Sequence, residues 1–338
     1  MTTIKQVAEE AGVSKSTVSR YISKKGYVGD DAREKIKNAI KKLNYTPNVL
    51  AQSLKTKKNQ MVGLLLPDIS NPFFPRLVRG AESYLKDKGY RIMVGTISDH
   101  DSLEEYINLL LKTNAAGIIT TLDFTKEFPN LTLPVVVVDR ISKDTGYGVF
   151  SDNQLGGRLA AKAIWNAGAK QVMIIKVLDD KAENIAERFE ASLNYLRNKS
   201  LEIHIEESET FDFEKIQKEA KENLKRNPNI DSIIAPSDIH AIAYIHEILA
   251  IGKKIPDDIQ IIGYDDIVLS QFIYPSLSTI HQSSYKMGEQ AAKLIYNMAN
   301  KFSIDEVKIK LPVRYVERNT LRRKKWVKLL LLEAFQWT

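Results

Sequence analysis

The sequence predicts a small helical headpiece of helix-turn-helix type followed by a larger α/β body of two doubly wound halves, and three observations carry that prediction. The chain has 338 residues, more than one average domain. Residues 3–44 hold three short amphipathic helical patterns separated by glycine-containing turns. From Met61 onward, short apolar runs alternate with amphipathic stretches, the rhythm of repeated βα units and parallel sheets.

Composition narrows the function classes. A hydrophobic content of 43% suffices for buried cores and excludes whole-chain disorder. With no cysteine, neither a disulfide framework nor a thiolate metal site can form. Glu9 and Glu10 stand where a signal peptide would carry an apolar run, and no stretch approaches the ~20 apolar residues of a spanning helix. The expectation is a soluble cytoplasmic protein without a membrane partner. The net charge of +7 is unevenly spread: residues 1–60 hold 13 Lys+Arg against 5 Asp+Glu, residues 61–320 hold 31 against 36, and residues 321–338 hold 5 against 1. A basic segment on a slightly acidic body suits phosphate neutralisation by one specialised domain, while a solvated lysine-rich surface is the plainer alternative.

In the headpiece, Thr3 and Gln6 have the capping-box spacing and open a helix with Ile4, Val7, Ala8 and Ala11 on one side; Gly12 ends it. Ser14 is placed to cap a second helix, Lys15 to Ile22, which turns Val18 and Ile22 inward and leaves Lys15, Ser16, Thr17, Ser19 and Arg20 outside. A third helix, from about Asp30 to Asn44, repeats apolar residues at Ala32, Ile36, Ile40 and Leu43. The second helix suits a major groove, because short polar and basic side chains near its N-terminus reach base edges while its amides face phosphate. Pro47 to Lys58 reads as a linker with helical potential, too short to be a stable helix alone. The organisation expected is headpiece 1–46, hinge 47–59, body 60–320 and a basic amphipathic tail 321–338.

In the body, strands are predicted at Val62–Leu66, Arg91–Gly95, Gly117–Thr120, Val135–Val138, Val172–Ile175, Ser232–Ala235 and Gln260–Gly263. Ligands of open α/β sheets bind beyond the carboxyl ends of strands. Acids recur there, at Asp68, Asp139, Asp238, Asp265 and Asp266. Each taken singly reads as readily as a helix cap or turn residue. A sugar needs planar donors and acceptors for its hydroxyls and an aromatic face for its C–H surface, which Asp, Asn, Arg and Phe supply.

The segments Thr3-Ile4-Lys5-Gln6-Val7-Ala8, Ala11-Gly12-Val13-Ser14, Thr17-Val18-Ser19-Arg20 and Leu43-Asn44-Tyr45-Thr46-Pro47-Asn48 resemble the DNA-binding signature of the LacI family of transcriptional repressors. The resemblance places Lys15, Ser16 and Arg20 at base-reading positions, with Ser14, Thr17 and Asn48 holding backbone or framework. It makes 47–59 a hinge helix that pairs with its dimer mate in the minor groove, with Leu54 as the wedge between central base pairs. Ser70-Asn71-Pro72-Phe73-Phe74, Ser151-Asp152-Asn153-Gln154-Leu155-Gly156-Gly157, Ile262-Gly263-Tyr264-Asp265-Asp266 and Thr279-Ile280-His281-Gln282 resemble the periplasmic-binding-protein-like sensor of the same family. That resemblance implies a homodimer on palindromic operator DNA, controlled by a small effector, and a pentose site of Asn71, Phe73, Phe74, Asp139, Ser151, Arg188, Phe213, Asp265 and Gln282, with Asp238 as a further candidate. Ala191-Ser192 and Ser237 depart from the ribose-type pattern. A nucleobase corepressor, a phosphorylated partner protein and a transport-type binding protein stay open as alternatives.

Enzyme signatures are absent from the sequence. His100, His204, His240, His246 and His281 show no metal-ligand spacing, no phosphate-binding glycine loop or Gly-x-Ser-x-Gly elbow occurs, and Gly146-Tyr147-Gly148 lacks the third glycine of a dinucleotide site. No metal, cofactor or catalytic residue is expected.

Overall fold

The computed structural model describes residues 2–23, 26–45, 60–97, 99–178 and 183–323. It divides into two compact units, Met1–Asn59 and Gln60–Thr338. Within the first, α1 (Ile4–Glu10), α2 (Lys15–Ser23) and α3 (Asp30–Lys42) follow from local chemistry. Thr3 and Gln6 form the reciprocal capping box predicted for α1. Gly12 takes φ +62°, and Asn44, beyond α3, takes φ 44°; both lie in the left-handed region that ends helices. Asp30 and Asp31 begin α3 and Lys41 and Lys42 end it, each complementing the helix dipole. Val7, Ala8, Ala11, Val18, Val28, Ile36 and Ala39 form the core of this unit.

The second unit holds two six-stranded sheets. The first has strand order β11-β5-β4-β3-β1-β2, from β1 (Met61–Leu66), β2 (Arg91–Thr96), β3 (Gly117–Thr120), β4 (Val135–Val138), β5 (Gly148–Ser151) and β11 (Lys308–Leu311). The second has order β12-β10-β9-β8-β6-β7, from β6 (Gln171–Val177), β7 (Glu202–Ser208), β8 (Ser232–Ile234), β9 (Gln260–Asp265), β10 (Ser278–His281) and β12 (Arg314–Val316). All pairings are parallel except the antiparallel β10–β12 pair. Central strands such as β1, β3 and β9 are buried along almost their whole length because helices cover both faces, so they appear in the sequence as apolar runs.

The first sheet is covered by α4 (Phe73–Asp87), α5 (His100–Lys112) and α11 (Ser284–Asn300); the second by α6 (Asn153–Asn166), α7 (Glu183–Arg197), α8 (Phe213–Arg226) and α9 (Asp238–Ala250), with the short α10 (Leu269–Phe272) following β9. The chain therefore passes between the two halves after β5, after β10 and between β11 and β12. Two helix pairs are held close by glycine. A Cβ on Gly80 of α4 would collide with the Tyr285 carbonyl of α11, and one on Gly157 of α6 with the Arg188 carbonyl of α7.

The seven predicted strands are observed, and five more among the described residues, β5, β7, β10, β11 and β12, were not predicted. In β7 the sequence Glu-Ile-His-Ile-Glu-Glu-Ser alternates charge with isoleucine, as an edge strand can when one face meets solvent. The body also runs past the expected boundary at residue 320. Leu321 is buried in the second core, and Arg322 donates to the carbonyls of Pro256 and Asp231 at 3.0 and 2.9 Å.

Candidate ligand cleft and DNA-reading helix

The carboxyl ends of the strands of both halves meet at one cleft. From the first half come Asn71, Phe73, Phe74, Asp139 and Arg140, and from the second Arg188, Phe211, Pro236, Ser237 and Asp265; Gln282 sits on the crossing after β10. Phe73 and Phe74 open α4 with their rings edge-on at 5.4 Å, and Asn71 Oδ1 receives the Phe73 main-chain N–H at 3.0 Å, fixing the turn before the helix. Asp139 follows β4 at φ 65° and Asp265 ends β9 at φ 120°. Two aspartates in a backbone region that suits glycine, at matching strand ends, are the strained residues expected at a ligand site.

Arg188 is the centre of the polar set. Its side chain lies flat over Tyr264, with the guanidinium carbon 3.5 Å from the ring centroid. Nε and Nη2 donate to Asn153 Oδ1 at 3.1 and 2.8 Å, and Nη1 donates to the Pro236 carbonyl at 2.7 Å. Three of the five guanidinium N–H groups are thereby used within the protein, and the side chain lines the cleft. Gln282 Nε2 donates to Asp265 Oδ1 at 2.6 Å, while Gln282 Oε1 and Asn153 Nδ2 are buried with no partner among the described residues. Such atoms are costly unless a ligand or water satisfies them. Burial, the neighbouring Asp238 and Asp139 raise the pKa of Asp265 well above the ordinary carboxylate range, against the opposing pull of Arg188. Among these groups Arg188, Asp265 and Gln282 line the cleft, where a hydroxyl-rich ligand could pair with them and where the rings of Phe73, Phe74 and Phe211 present apolar faces.

Three expected residues stand elsewhere. Phe213 is 44% exposed and does not line the cleft; Phe211 does. The reason is local: Asp212 accepts the Lys215 N–H at 3.0 Å as N-cap of α8, so Phe213 enters the helix and Phe211 remains on the loop. Asp238 is fully buried and receives the Ile267 N–H at 2.9 Å, Ser270 Oγ–H at 2.6 Å and Thr279 Oγ1–H at 2.5 Å, so its carboxyl ties together the loops around β9 and β10. Burial first, opposed by those hydrogen bonds, pushes its pKa up to about 7. Ser151 is buried at the end of β5 and does not reach the lining. Arg140 was missed, although it follows Asp139 directly; its guanidinium carbon lies 4.8 Å from the Phe211 ring centroid, bridging the two halves.

In the first unit, Ser14 Oγ accepts the Thr17 N–H at 3.1 Å and lies 2.8 Å from Thr17 Oγ1 and 2.7 Å from Ser16 Oγ, the N-cap expected of α2. Lys15, Ser16 and Arg20 are exposed on the helix that begins there, and Val18 is buried opposite. Asn48 and Leu54 lie outside the described residues, as do residues 324–338. Among the described residues no group of three or more His, Asp or Glu side chains could hold a metal ion, and no helix is long and apolar enough to cross a membrane.

A two-lobed α/β body with its ligand cleft at the lobe junction, carried in one chain with a helix-turn-helix unit, defines a ligand-responsive DNA-binding regulator. The family model described as periplasmic binding proteins and sugar binding domain of LacI family matches residues 59–319, and that of bacterial regulatory proteins, lacI family, matches residues 3–48. The chain belongs to the LacI family. It is 61% identical over 326 residues to the ribose operon repressor of Lactococcus lactis subsp. lactis (strain IL1403), covering 96% of this chain and 99% of the relative. Identity to the ribose operon repressor of Bacillus subtilis (strain 168) is 40%, over 96% of this chain and 99% of the relative. Among solved structures, the lac repressor dimer bound to operator and the anti-inducer ONPF shares the fold at a TM-score of 0.84 and 23% identity, over 95% of this chain and 99% of that one. A LacI family regulator from Enterococcus faecium with bound ribose matches at a TM-score of 0.69 and 25% identity, over 78% of this chain and 100% of that one.

Proposed function

We propose that this chain is a ribose-responsive transcriptional repressor, acting in the cytoplasm as a homodimer whose paired helix-turn-helix units bind a near-palindromic operator. The observation that carries the sugar assignment is the cleft itself. Two buried aspartates, the Arg188 guanidinium and the orphaned amide oxygen of Gln282 line the cleft together with phenylalanine rings, a match to the alternating hydroxyl and C–H surface of a pentose. Relatives named ribose operon repressor reach 61%, 40% and 36% identity, with another at 30%, and those named PurR stand at 30–31%. No catalytic role is assigned to any residue.

In this reading, sugar in the cleft bonds to both halves and favours one relative orientation of them. It thereby changes operator affinity through a coupling of about 1–3 kcal/mol per site. Calorimetry with D-ribose and a gel shift on the upstream region of the adjoining operon test it. Ribose should bind the body and shift the operator-binding curve. Failure to bind ribose, or operator affinity unchanged at saturating ribose, overturns the assignment.

A further inference from the structure

One wall of the cleft is connected to a buried hydrogen-bond chain that the sugar assignment does not use. Ser237 lines the cleft and caps α9; behind it lie His240 and then Ser208, all three buried, and Glu219 at half-exposed depth. The directions of the bonds in this chain are dictated at its outer end. Ser208 Oγ–H donates to Glu219 Oε2 at 2.6 Å, and the Thr210 carbonyl, 3.4 Å from the same hydroxyl, can only accept. That hydroxyl can then only accept from the imidazole, whose Nε2 is 3.3 Å away, so Nε2 carries the ring proton. Burial above all, against a hydrogen bond with the Thr210 main chain, holds the ring's pKa down to about 4, so at neutral pH the ring has one proton only. Nδ1 is thus a bare lone pair, 2.8 Å from Ser237 Oγ, and takes the serine's proton. Ser237 also accepts the main-chain N–H of His240 at 3.4 Å. One lone pair is left for the cleft, and no proton.

We propose that the chain Glu219–Ser208–His240 sets the hydrogen-bond polarity of Ser237, making it an acceptor that selects effectors presenting a hydroxyl or N–H donor at this wall. His240 and Ser208 are positioning residues; Ser237 is the specificity-determining one. The proposal rests on the reading of this cleft as the effector site. Phe211, whose ring meets the His240 ring edge-on at 5.4 Å, holds the imidazole in place from the cleft side.

Two measurements on the full-length protein test it. The first needs no ligand. A long-range proton–nitrogen correlation spectrum of the histidines, with His240 assigned by its loss in His240→Asn, should show a neutral Nε2–H tautomer at pH 7. An Nδ1–H tautomer or a doubly protonated ring overturns the proposal. The second uses calorimetry with D-ribose and its monodeoxy and monodeoxyfluoro analogues on the wild type and Ser237→Ala. At one hydroxyl, the deoxy and deoxyfluoro sugars should both bind about tenfold more weakly than ribose, since neither can donate, and Ser237→Ala should abolish that difference. A deoxyfluoro sugar that matches ribose at every position sensitive to Ser237 overturns the donor requirement. If no sugar binds at all, the effector assignment fails, and the tautomer alone decides the polarity of the chain.

Discussion

At the scale of single residues, the cleft is governed by groups whose partners are already chosen. Arg188 shows this most directly. Removing it leaves Asn153 Oδ1, Tyr264 and the Pro236 carbonyl without the cation they surround, and takes a cation from the lining of the cleft. Arg188→Ala should weaken ribose binding by about 100-fold or more, on the order of 3 kcal/mol, as read by calorimetry; affinity within threefold of wild type would contradict the placement of this side chain. His240 makes a prediction of a different kind. An ordinary histidine in the unfolded chain titrates near 6.5, whereas burial depresses this one to about 4 in the fold. Between those values the unfolded chain binds the additional proton, so stability falls as pH falls through that window. Between pH 7.5 and pH 5 the loss should be about 2 kcal/mol from this residue alone. Urea midpoints at the two pH values, compared with those of His240→Gln, measure it, and equal pH slopes in both proteins would refute it.

At the scale of elements, helix spacing is what aims the site. α6 and α7 approach so closely that Gly157 faces the Arg188 carbonyl, and Ser192 Oγ donates both to the Gly157 carbonyl at 2.9 Å and to the Arg188 carbonyl at 3.0 Å. Gly157→Ala should cost about 1–3 kcal/mol of stability by forcing the helices apart. It should also weaken ribose binding, because the turn that moves carries Arg188. Gly168, at φ +80° with open space around its Cα, is the comparison: Gly168→Ala should show only backbone strain of about 1 kcal/mol and normal affinity. Denaturation and calorimetry on the two variants separate crowding from strain. On α2, substituting Lys15, Ser16 or Arg20 by alanine should cost about 1–3 kcal/mol each where the side chain reads a base; gel shifts on operator and scrambled DNA distinguish that from a uniform loss. The capping of α1 and α2 was legible in the sequence because Thr3, Gln6 and Ser14 act within one turn of themselves. Strand β7 was not, since Glu202, His204 and Glu206 give an edge strand no apolar run to be read by.

For the whole molecule, the chain separates into a headpiece and a body with their own cores. Residues 60–338 alone should bind ribose as the intact protein does and bind no operator; loss of sugar binding on removing residues 1–59 would count against an independent body. Ribose should also stabilise this fragment by mass action, about 2.7 kcal/mol at a concentration a hundred times the Kd, seen as a raised denaturation midpoint.

What the sequence determined by itself was everything set by neighbours along the chain: the helix caps, the βα rhythm, the acids at strand ends and the basic headpiece. Tertiary structure decided which of those acids line the cleft. Asp139 and Asp265 do, whereas Asp238, equally placed after a strand, is consumed by Ser270, Thr279 and the Ile267 amide. It also decided that Phe211 rather than Phe213 reaches the cleft, that Arg140 joins it, and that Ser237 is reached by a buried histidine. The physical reason is the same in each case. A polar or aromatic side chain takes its role from the partners that satisfy it, and those partners come from strands and loops far apart in the chain.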